Sequence, residues 1–255
     1  MGKNLRAAID IGNTRIKCGV FGAKELIDLL VTEDVFELYS FLDKKVIVSS
    51  IVSDVRGNAN ITQELGNKFA VIQMGSMLKL PIQNNYTSPE TLGTDRIAAA
   101  VAAQILYNTH AVFIVDAGTC ITIGFVQEYI YKGGSISPGI HMRYKALHHY
   151  TGKLPYIENS EFENIIPTGL NTTDSIHAGV LAGAVYEIES RIKAIIHTEK
   201  IDQPYTIVTT GGDGAFLAEQ LKYSNFANPS EPIFEPNLVL IGLNEILLLN
   251  ESETA

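Results

Sequence analysis

Cysteine is scarce: the 255 residues hold two, Cys18 and Cys120. Two thiols cannot complete a four-cysteine zinc site, and no histidine pair with structural-zinc spacing accompanies them. Both lie in apolar, strand-like stretches and read as reduced, buried side chains. Basic residues are also in deficit. Lys and Arg number 19 against 28 Asp and Glu, a net charge of −9, and the densest basic cluster, Arg143-Tyr144-Lys145, is short. Such a surface repels a polyphosphate backbone, so nucleic acid is not expected as a partner. A small phosphate compound is still admitted, because backbone N–H groups and a metal ion can grip it. No apolar run reaches membrane-spanning length, since the stretch around 112–126 is broken by Asp116. The first residues reach Asp10 before a secretory h-region can form. A cytoplasmic protein with no membrane partner is the expectation. There is no low-complexity segment and no clear linker.

What is present points to a folded α/β protein. Apolar residues make up 46% and charged residues 18%, enough for a substantial core in a chain long enough for two small domains. Strand patterns cover 6–11, 16–21 and 25–31. A helix over 33–42 follows, with Thr32 as N-cap, then a strand at 45–50, a helix at 54–66 and a strand at 70–73. This β-β-β-α-β-α-β order predicts a mixed sheet with helices. Residues 77–91 are rich in turns. The alanine-rich helix over 92–109 would let another helix approach closely.

The opening pattern then returns. Strands are expected at 111–115, 120–126 and 129–137, a helix at 138–150, a long helix at 174–197, a strand at 205–209, a helix at 213–221 and an amphipathic helix at 237–250. Asp10-x-Gly12-x-Thr14 and Asp116-x-Gly118-Thr119 both occupy strand–turn–strand hairpins. The repetition predicts two related domains, 1–110 and 111–255, with the two turns facing each other across one cleft.

Each turn has the chemistry of a phosphate site. In Asp10-Ile11-Gly12-Asn13-Thr14-Arg15-Ile16-Lys17 successive N–H groups can converge on one concavity, and Gly12 removes a Cβ that would block close approach. Lys17 brings a positive charge. Asp10 would be repelled by phosphate itself but can hold Mg²⁺ or its waters. In the second turn Asp116 can bind a cation and Thr119 can hydrogen-bond a phosphate oxygen. Thr209-Thr210-Gly211-Gly212-Asp213-Gly214, between a strand and a helix, suits close approach of backbone to a nucleotide.

These three elements, in this order, resemble the phosphate-1, phosphate-2 and adenosine motifs of the acetate and sugar kinase/actin superfamily. With Gly93-Thr94-Asp95-Arg96, Gly133-Gly134-Ser135-Ile136-Ser137-Pro138-Gly139 and Asn171-Thr172-Thr173-Asp174-Ser175-Ile176-His177-Ala178-Gly179, the set is similar to type III pantothenate kinase. The resemblance implies two ribonuclease H-like (actin-like) domains, each a mixed sheet flanked by helices, with the active site in the cleft between them. It implies transfer of the ATP γ-phosphoryl group to pantothenate, the first step of coenzyme A synthesis. A homodimer, Mg²⁺ with ATP, and K⁺ or NH₄⁺ are implied with it. ATP binding would then fall on Asp10, Ile11, Gly12, Asn13, Thr14, Arg15, Ile16, Lys17 and Thr119. Asp116 would be the monovalent-cation ligand. Tyr86, Gly93, Thr94, Asp95, Arg96 and Thr172 would form the pantothenate site, with Asp95 as catalytic base.

The role of Asp95 agrees with its chemistry, because a primary alcohol needs a carboxylate within hydrogen-bond reach to take its proton. Two departures stand out. Cys120 occupies a position where alanine is commoner in the family, and His177 one where glutamine is common. Other kinases or phosphohydrolases of the same fold, and a non-catalytic actin-like accessory protein, are the competing readings. Retention of Asp10, Asp95 and Asp116 argues against the silent protein. The adjacent His148 and His149 would point apart on a helix and are read as a solvated face.

Overall fold

The computed structural model of the chain describes residues 5–57, 59–157, 165–226 and 230–251. The chain forms two compact units: Met1–Asn108 with Tyr129–Gly133 and Asn237–Ala255, and Thr109–Glu128 with Gly134–Pro236. The chain passes between the two units four times, after residues 108, 128, 133 and 236.

In the first unit, β1 (Leu5–Ile11), β2 (Ile16–Gly22), β3 (Glu25–Thr32), β4 (Ile47–Asp54) and β5 (Ala70–Gln73) make a sheet of order β3-β2-β1-β4-β5. The hairpin pairs β1–β2 and β2–β3 are antiparallel, whereas β1–β4 and β4–β5 are parallel. One face is covered by α1 (Val35–Asp43) and α2 (Ala59–Gly66), through a core of Ala7, Ile9, Ile11, Ile16, Cys18, Leu38, Leu42, Val52, Ile61 and Leu65. Against β1, β2 and β4 also lies α8 (Leu238–Glu251), which packs on α3 (Thr94–Tyr107). A strand with both faces covered reads as a continuous apolar run, as Ala7-Ala8-Ile9 does.

The alanines of α3 have the partner they called for. Residues 98–103 are all buried, and a Cβ added to Gly242 of α8 would lie 1.8 Å from the Ala98 carbonyl oxygen. The two helices therefore cross at backbone contact. The 237–250 segment was expected to be amphipathic. It is buried on more than one side, at Leu238, Val239, Leu240, Leu243, Asn244, Ile246 and Leu247, because it has both α3 and the sheet to cover.

Three local expectations are corrected. The N-cap of α1 is Asp34, whose side chain accepts from Phe36 N at 2.8 Å, while Thr32 Oγ1 accepts from Asp34 N at 3.0 Å. The strand at 45–50 runs on to Asp54, and the helix begins only at Ala59. Gly57 has φ +69°, which no helix interior adopts, and Asp54 Oδ1 takes Arg56 N in a turn. Cys18 is fully buried, but Cys120 is only half-buried.

The second unit repeats the plan. Here β7 (Ala111–Ala117), β8 (Cys120–Gln127), β9 (Ile130–Pro138), β10 (Tyr205–Thr210) and β11 (Ile233–Phe234) follow the order β9-β8-β7-β10-β11. β7–β8 is antiparallel; β7–β10 and β10–β11 are parallel. Strand for strand this matches β3-β2-β1-β4-β5, so the echo seen in two turns extends to the whole sheet. Helices α4 (Ile140–His149), α5 (Thr172–His177), α6 (Gly183–Thr198) and α7 (Gly214–Leu221) accompany it. Their core includes Phe113, Val115, Ile121, Ile123, Tyr144, Ile188, Tyr205 and Leu217. The single helix expected over 174–197 is α5, a π-helical segment at Ala178–Ala182, and α6. The first residues of β9 belong to the first unit, where they pair with β6 (Gln83–Asn84).

Candidate active site

The first turn is a tight hairpin end. Asp10 pairs with Lys17 and Ile11 with Ile16, and Gly12 N donates to Arg15 O at 3.0 Å. A Cβ on Gly12 would sit 3.3 Å from that same oxygen, so glycine suits the closure. Asn13, Thr14 and Arg15 are exposed, while Ile11 and Ile16 are buried core residues that bring only backbone groups to the turn. The segment after β4 holds the turn from the side. Val55 N donates to Ile11 O at 3.1 Å and Arg56 Nε to Gly12 O at 2.6 Å. Neither contact carries a sequence signal, because both bridge segments more than forty positions apart.

Asp10 is half-buried at the end of β1 and pairs with Ser53 in the parallel ladder. The buried Ser53 hydroxyl is hydrogen-bonded to Thr94 Oγ1, 2.8 Å away, at the first residue of α3. One register step and one hydrogen bond thus tie the Gly93-Thr94-Asp95-Arg96 helix start to the strand end that carries Asp10. The Asp95 carboxylate folds back over this start: Oδ1 accepts from Arg96 N at 2.8 Å, and a Cβ on Gly93 would lie 2.5 Å from the same oxygen. Gly93 has ordinary extended backbone (φ −53°, ψ 129°), so the requirement for glycine there is the space Asp95 occupies.

Arg96 is built into an aromatic corner. Its Nη2 donates to Tyr131 Oη at 3.1 Å, and its Cζ stands 5.8 Å from the Tyr86 ring centroid. The Tyr86 and Tyr131 rings are 6.4 Å apart at 39°. Tyr131 is fully buried, and that burial pushes its hydroxyl above the usual tyrosine range, with Arg96 acting in the opposite direction. Sequence reasoning missed Tyr131, which lies in an apolar strand pattern and reads as ordinary core.

In the second unit, Asp116 pairs with Thr122, and Gly118 N donates to Cys120 O at 2.9 Å. Two glycine-bearing segments lock onto this turn. Gly139 N donates to Thr119 O at 3.1 Å, and Asp213 N to Ala117 O at 3.0 Å. A Cβ on Gly211 (φ +86°) would lie 2.3 Å from Ala117 O and 2.6 Å from Asp116 Oδ1. The Thr209–Gly214 stretch is therefore in backbone contact with the Asp116 turn, as close approach between glycine turns allows. Burial raises the Asp213 carboxyl above the usual carboxylate range, partly offset by His141, whose Nε2 is 3.8 Å from Oδ1. Thr172 is exposed on the first turn of α5, which is capped by Asn171 accepting from Asp174 N at 2.9 Å. His148 and His149 are exposed.

Among the described residues no cluster of three or more His, Cys, Asp or Glu side chains could hold a metal ion, and no helix is long and apolar enough to cross a membrane. A half-buried carboxylate at the mouth of an exposed polar turn nevertheless fits a nucleotide-borne divalent ion, which takes one or two protein carboxylates and the rest from phosphate and water.

The duplicated mixed sheet, with an acid-and-glycine hairpin at the same place in each copy, is the actin-like fold. Solved structures share this fold. A Campylobacter jejuni protein described as a conserved putative Baf family transcriptional activator superposes with TM-score 0.64 at 24% identity, covering 96% of this chain and 99% of that one. A Listeria monocytogenes protein described as a putative N-acetylmannosamine kinase gives 0.59 at 17% identity, covering 97% and 99%. The sequence is more specific. The family model for type III pantothenate kinase matches residues 7–194. The type III pantothenate kinase of Christiangramia forsetii is 37% identical over 98% of this chain and 100% of its own length, and that of Bacteroides fragilis 38% over 95% and 97%. The chain belongs to the type III pantothenate kinase family, and its activity is that of the family, ATP-dependent phosphorylation of pantothenate in coenzyme A synthesis.

Proposed function

We propose the following division of labour behind that activity. The backbone and short side chains of Asp10, Ile11, Gly12, Asn13, Thr14, Arg15, Ile16 and Lys17 hold the ATP phosphates, with Thr119 hydrogen-bonding a phosphate oxygen and the Thr209–Gly214 turn approaching the nucleoside. Asp10 holds Mg²⁺, directly or through water, and Asp116 holds a monovalent cation, K⁺ or NH₄⁺. These ions supply neutralisation of charge on the phosphates. Tyr86, Gly93, Thr94, Arg96 and Thr172 orient pantothenate, with Arg96 on its carboxylate. Asp95 takes the proton of the 4′-hydroxyl as that oxygen bonds to the γ-phosphorus. The bond from the γ-phosphorus to the bridging oxygen breaks, and ADP leaves with the electron pair.

The observation that carries this reading is the Ser53–Thr94 hydrogen bond, with Ser53 beside Asp10 in the ladder. It supports a proton acceptor and a phosphate turn working at one corner of the first unit. The test is ADP release with pantothenate and potassium, comparing wild type with Asp95→Asn. Loss of about 10²–10⁴ in kcat is expected for removal of a general base. Equal activity of the variant would refute the base, and absence of pantothenate-dependent turnover by the wild type would refute the kinase. The protein is further proposed to work in the cytoplasm as a homodimer. Sedimentation should then give twice the chain mass of 27.8 kDa, and a monomer at assay concentration would refute it.

A further inference from the structure

We propose that Tyr131 is a positioning residue for the kinase reaction: it fixes the Arg96 guanidinium in the plane that receives the carboxylate of the acceptor, and so sets selectivity for an acidic acceptor. This rests on the reading of Arg96 as the carboxylate-binding residue.

The backbone dictates the arrangement. Gln83 and Asn84 of β6 pair in parallel with Ile130 and Tyr131 of β9. The ladder is closed by Gln83 N to Tyr129 O at 2.8 Å and Asn85 N to Tyr131 O at 3.1 Å. The chain then turns, with Tyr86 N donating to Asn84 Oδ1 at 3.0 Å. Tyr86 is brought against the same strand at Gly133 (φ +111°), where a Cβ would lie in ordinary contact with its ring, at 3.9 Å. The two tyrosines are thus set side by side by register rather than by their own packing. Arg96 reaches them from the first turn of α3 and is gripped in two ways. Tyr131 Oη takes one guanidinium N–H, and the Tyr86 ring faces the cation.

The grip matters because an arginine carries several torsions, and a flexible guanidinium loses entropy when it binds a carboxylate. A hydrogen bond to a rigid, fully buried phenol removes part of that cost beforehand. It leaves the fork incompletely used: Nε, which is buried, meets no hydrogen-bond partner in the protein, and the remaining Nη hydrogens are available to a bidentate acceptor. Tyr131 itself sits behind Arg96, with no exposed surface, so its influence on substrate passes through the arginine.

The experiment uses the full chain and two acceptors, pantothenate and pantothenol, in which a neutral primary alcohol replaces the carboxylate. The readout is the preference ratio, kcat/KM for pantothenate over that for pantothenol, in wild type, Tyr131→Phe, Arg96→Ala and the double variant. Tyr131→Phe is expected to lower the ratio about fivefold to tenfold, the worth of one ordinary hydrogen bond, through KM for pantothenate and not through kcat. Added to Arg96→Ala, it should lower the ratio no further. A Tyr131→Phe loss shared equally by both acceptors, or one that multiplies with Arg96→Ala, would overturn the proposal while leaving Arg96 in place. An unchanged ratio in Arg96→Ala would remove the reading of Arg96 and the proposal with it. Thermal melts of each variant separate a folding defect, which depresses both acceptors together.

Discussion

Gly93→Ala separates the two reasons a glycine can be needed beside the proposed base, Asp95. The backbone at Gly93 is ordinary for alanine, so no strain arises from φ and ψ. The added methyl carbon, however, would lie 2.5 Å from Asp95 Oδ1. Contacts under 3.0 Å do not persist, and the carboxylate must retreat by at least about 0.5 Å and swing off Arg96 N, which it now meets at 2.8 Å. Displacement of a reacting group by about 1 Å costs about 10²-fold in rate, equivalent to about 2.7 kcal/mol in the barrier. Stability should hardly change. Losing the Oδ1 bond costs about 1 kcal/mol, and replacing glycine by alanine at a compatible backbone returns about 0.4–1 kcal/mol from the unfolded state. The expected variant is a well-folded protein with kcat down about 100-fold in a coupled ADP-release assay. Gly75→Ala, where the methyl would meet nothing within 4 Å, is the control. The reasoning is refuted by wild-type kcat in Gly93→Ala. It is refuted equally if Gly93→Ala worsens an Asp95→Asn enzyme by the full factor, since the methyl would then act on something other than Asp95.

Three further outcomes are expected. Gly242→Ala places a methyl 1.8 Å from Ala98 O, with backbone on both sides; overpacking of about 1–3 kcal/mol should lower the melting temperature by roughly 2–12 °C, and an unchanged melt would deny the close helix crossing. Arg56→Ala releases the Gly12 carbonyl and, on the proposed role of this turn, should raise KM for ATP several-fold with KM for pantothenate unmoved; the reverse pattern would detach Arg56 from phosphate binding. Burial pushes the Cys18 thiol from 9.0 up to about 12, so in the native protein it should resist alkylation at pH 8 while half-buried Cys120 reacts. The same shift has a sign for stability. The folded protein keeps this proton where the unfolded chain has lost it, so the contribution is complete below pH 9 and is lost as pH rises from about 9 to about 12. Tyr39 and Tyr205, also raised from 10.0 to about 12 by burial first, add to the loss above pH 10. Denaturant midpoints measured across that range check it, and a rising midpoint would contradict the burial of these groups.

Much of the architecture was legible because local patterning and turn chemistry agree. The Asp10 hairpin shows in sequence as an apolar strand, a Gly-Asn-Thr turn and a second apolar strand, and the structure closes it with Gly12 N on Arg15 O. The alanine run of α3 announced a close helix partner. Where reading failed, a nonlocal contact or a backbone requirement intervened. Residues 54–58 looked helical by composition, yet Gly57 has φ +69° and Asp54 caps a turn on Arg56. Cys120 follows an apolar pattern but is the first residue of its strand, directly after the Asp116 turn, and is half-buried.

The sequence by itself determined the duplicated hairpins, the placement of an acid at each, and the helix start that carries Asp95, since all of these are encoded within a few residues of one another. Which helix the alanines of α3 would meet was decided only by the tertiary structure, through the return of 237–251 to the first unit. So were the tie of Thr94 to Ser53 and the placement of Tyr131 behind Arg96. These are contacts between segments far apart in the chain, set by strand register and helix packing, and no local pattern carries them.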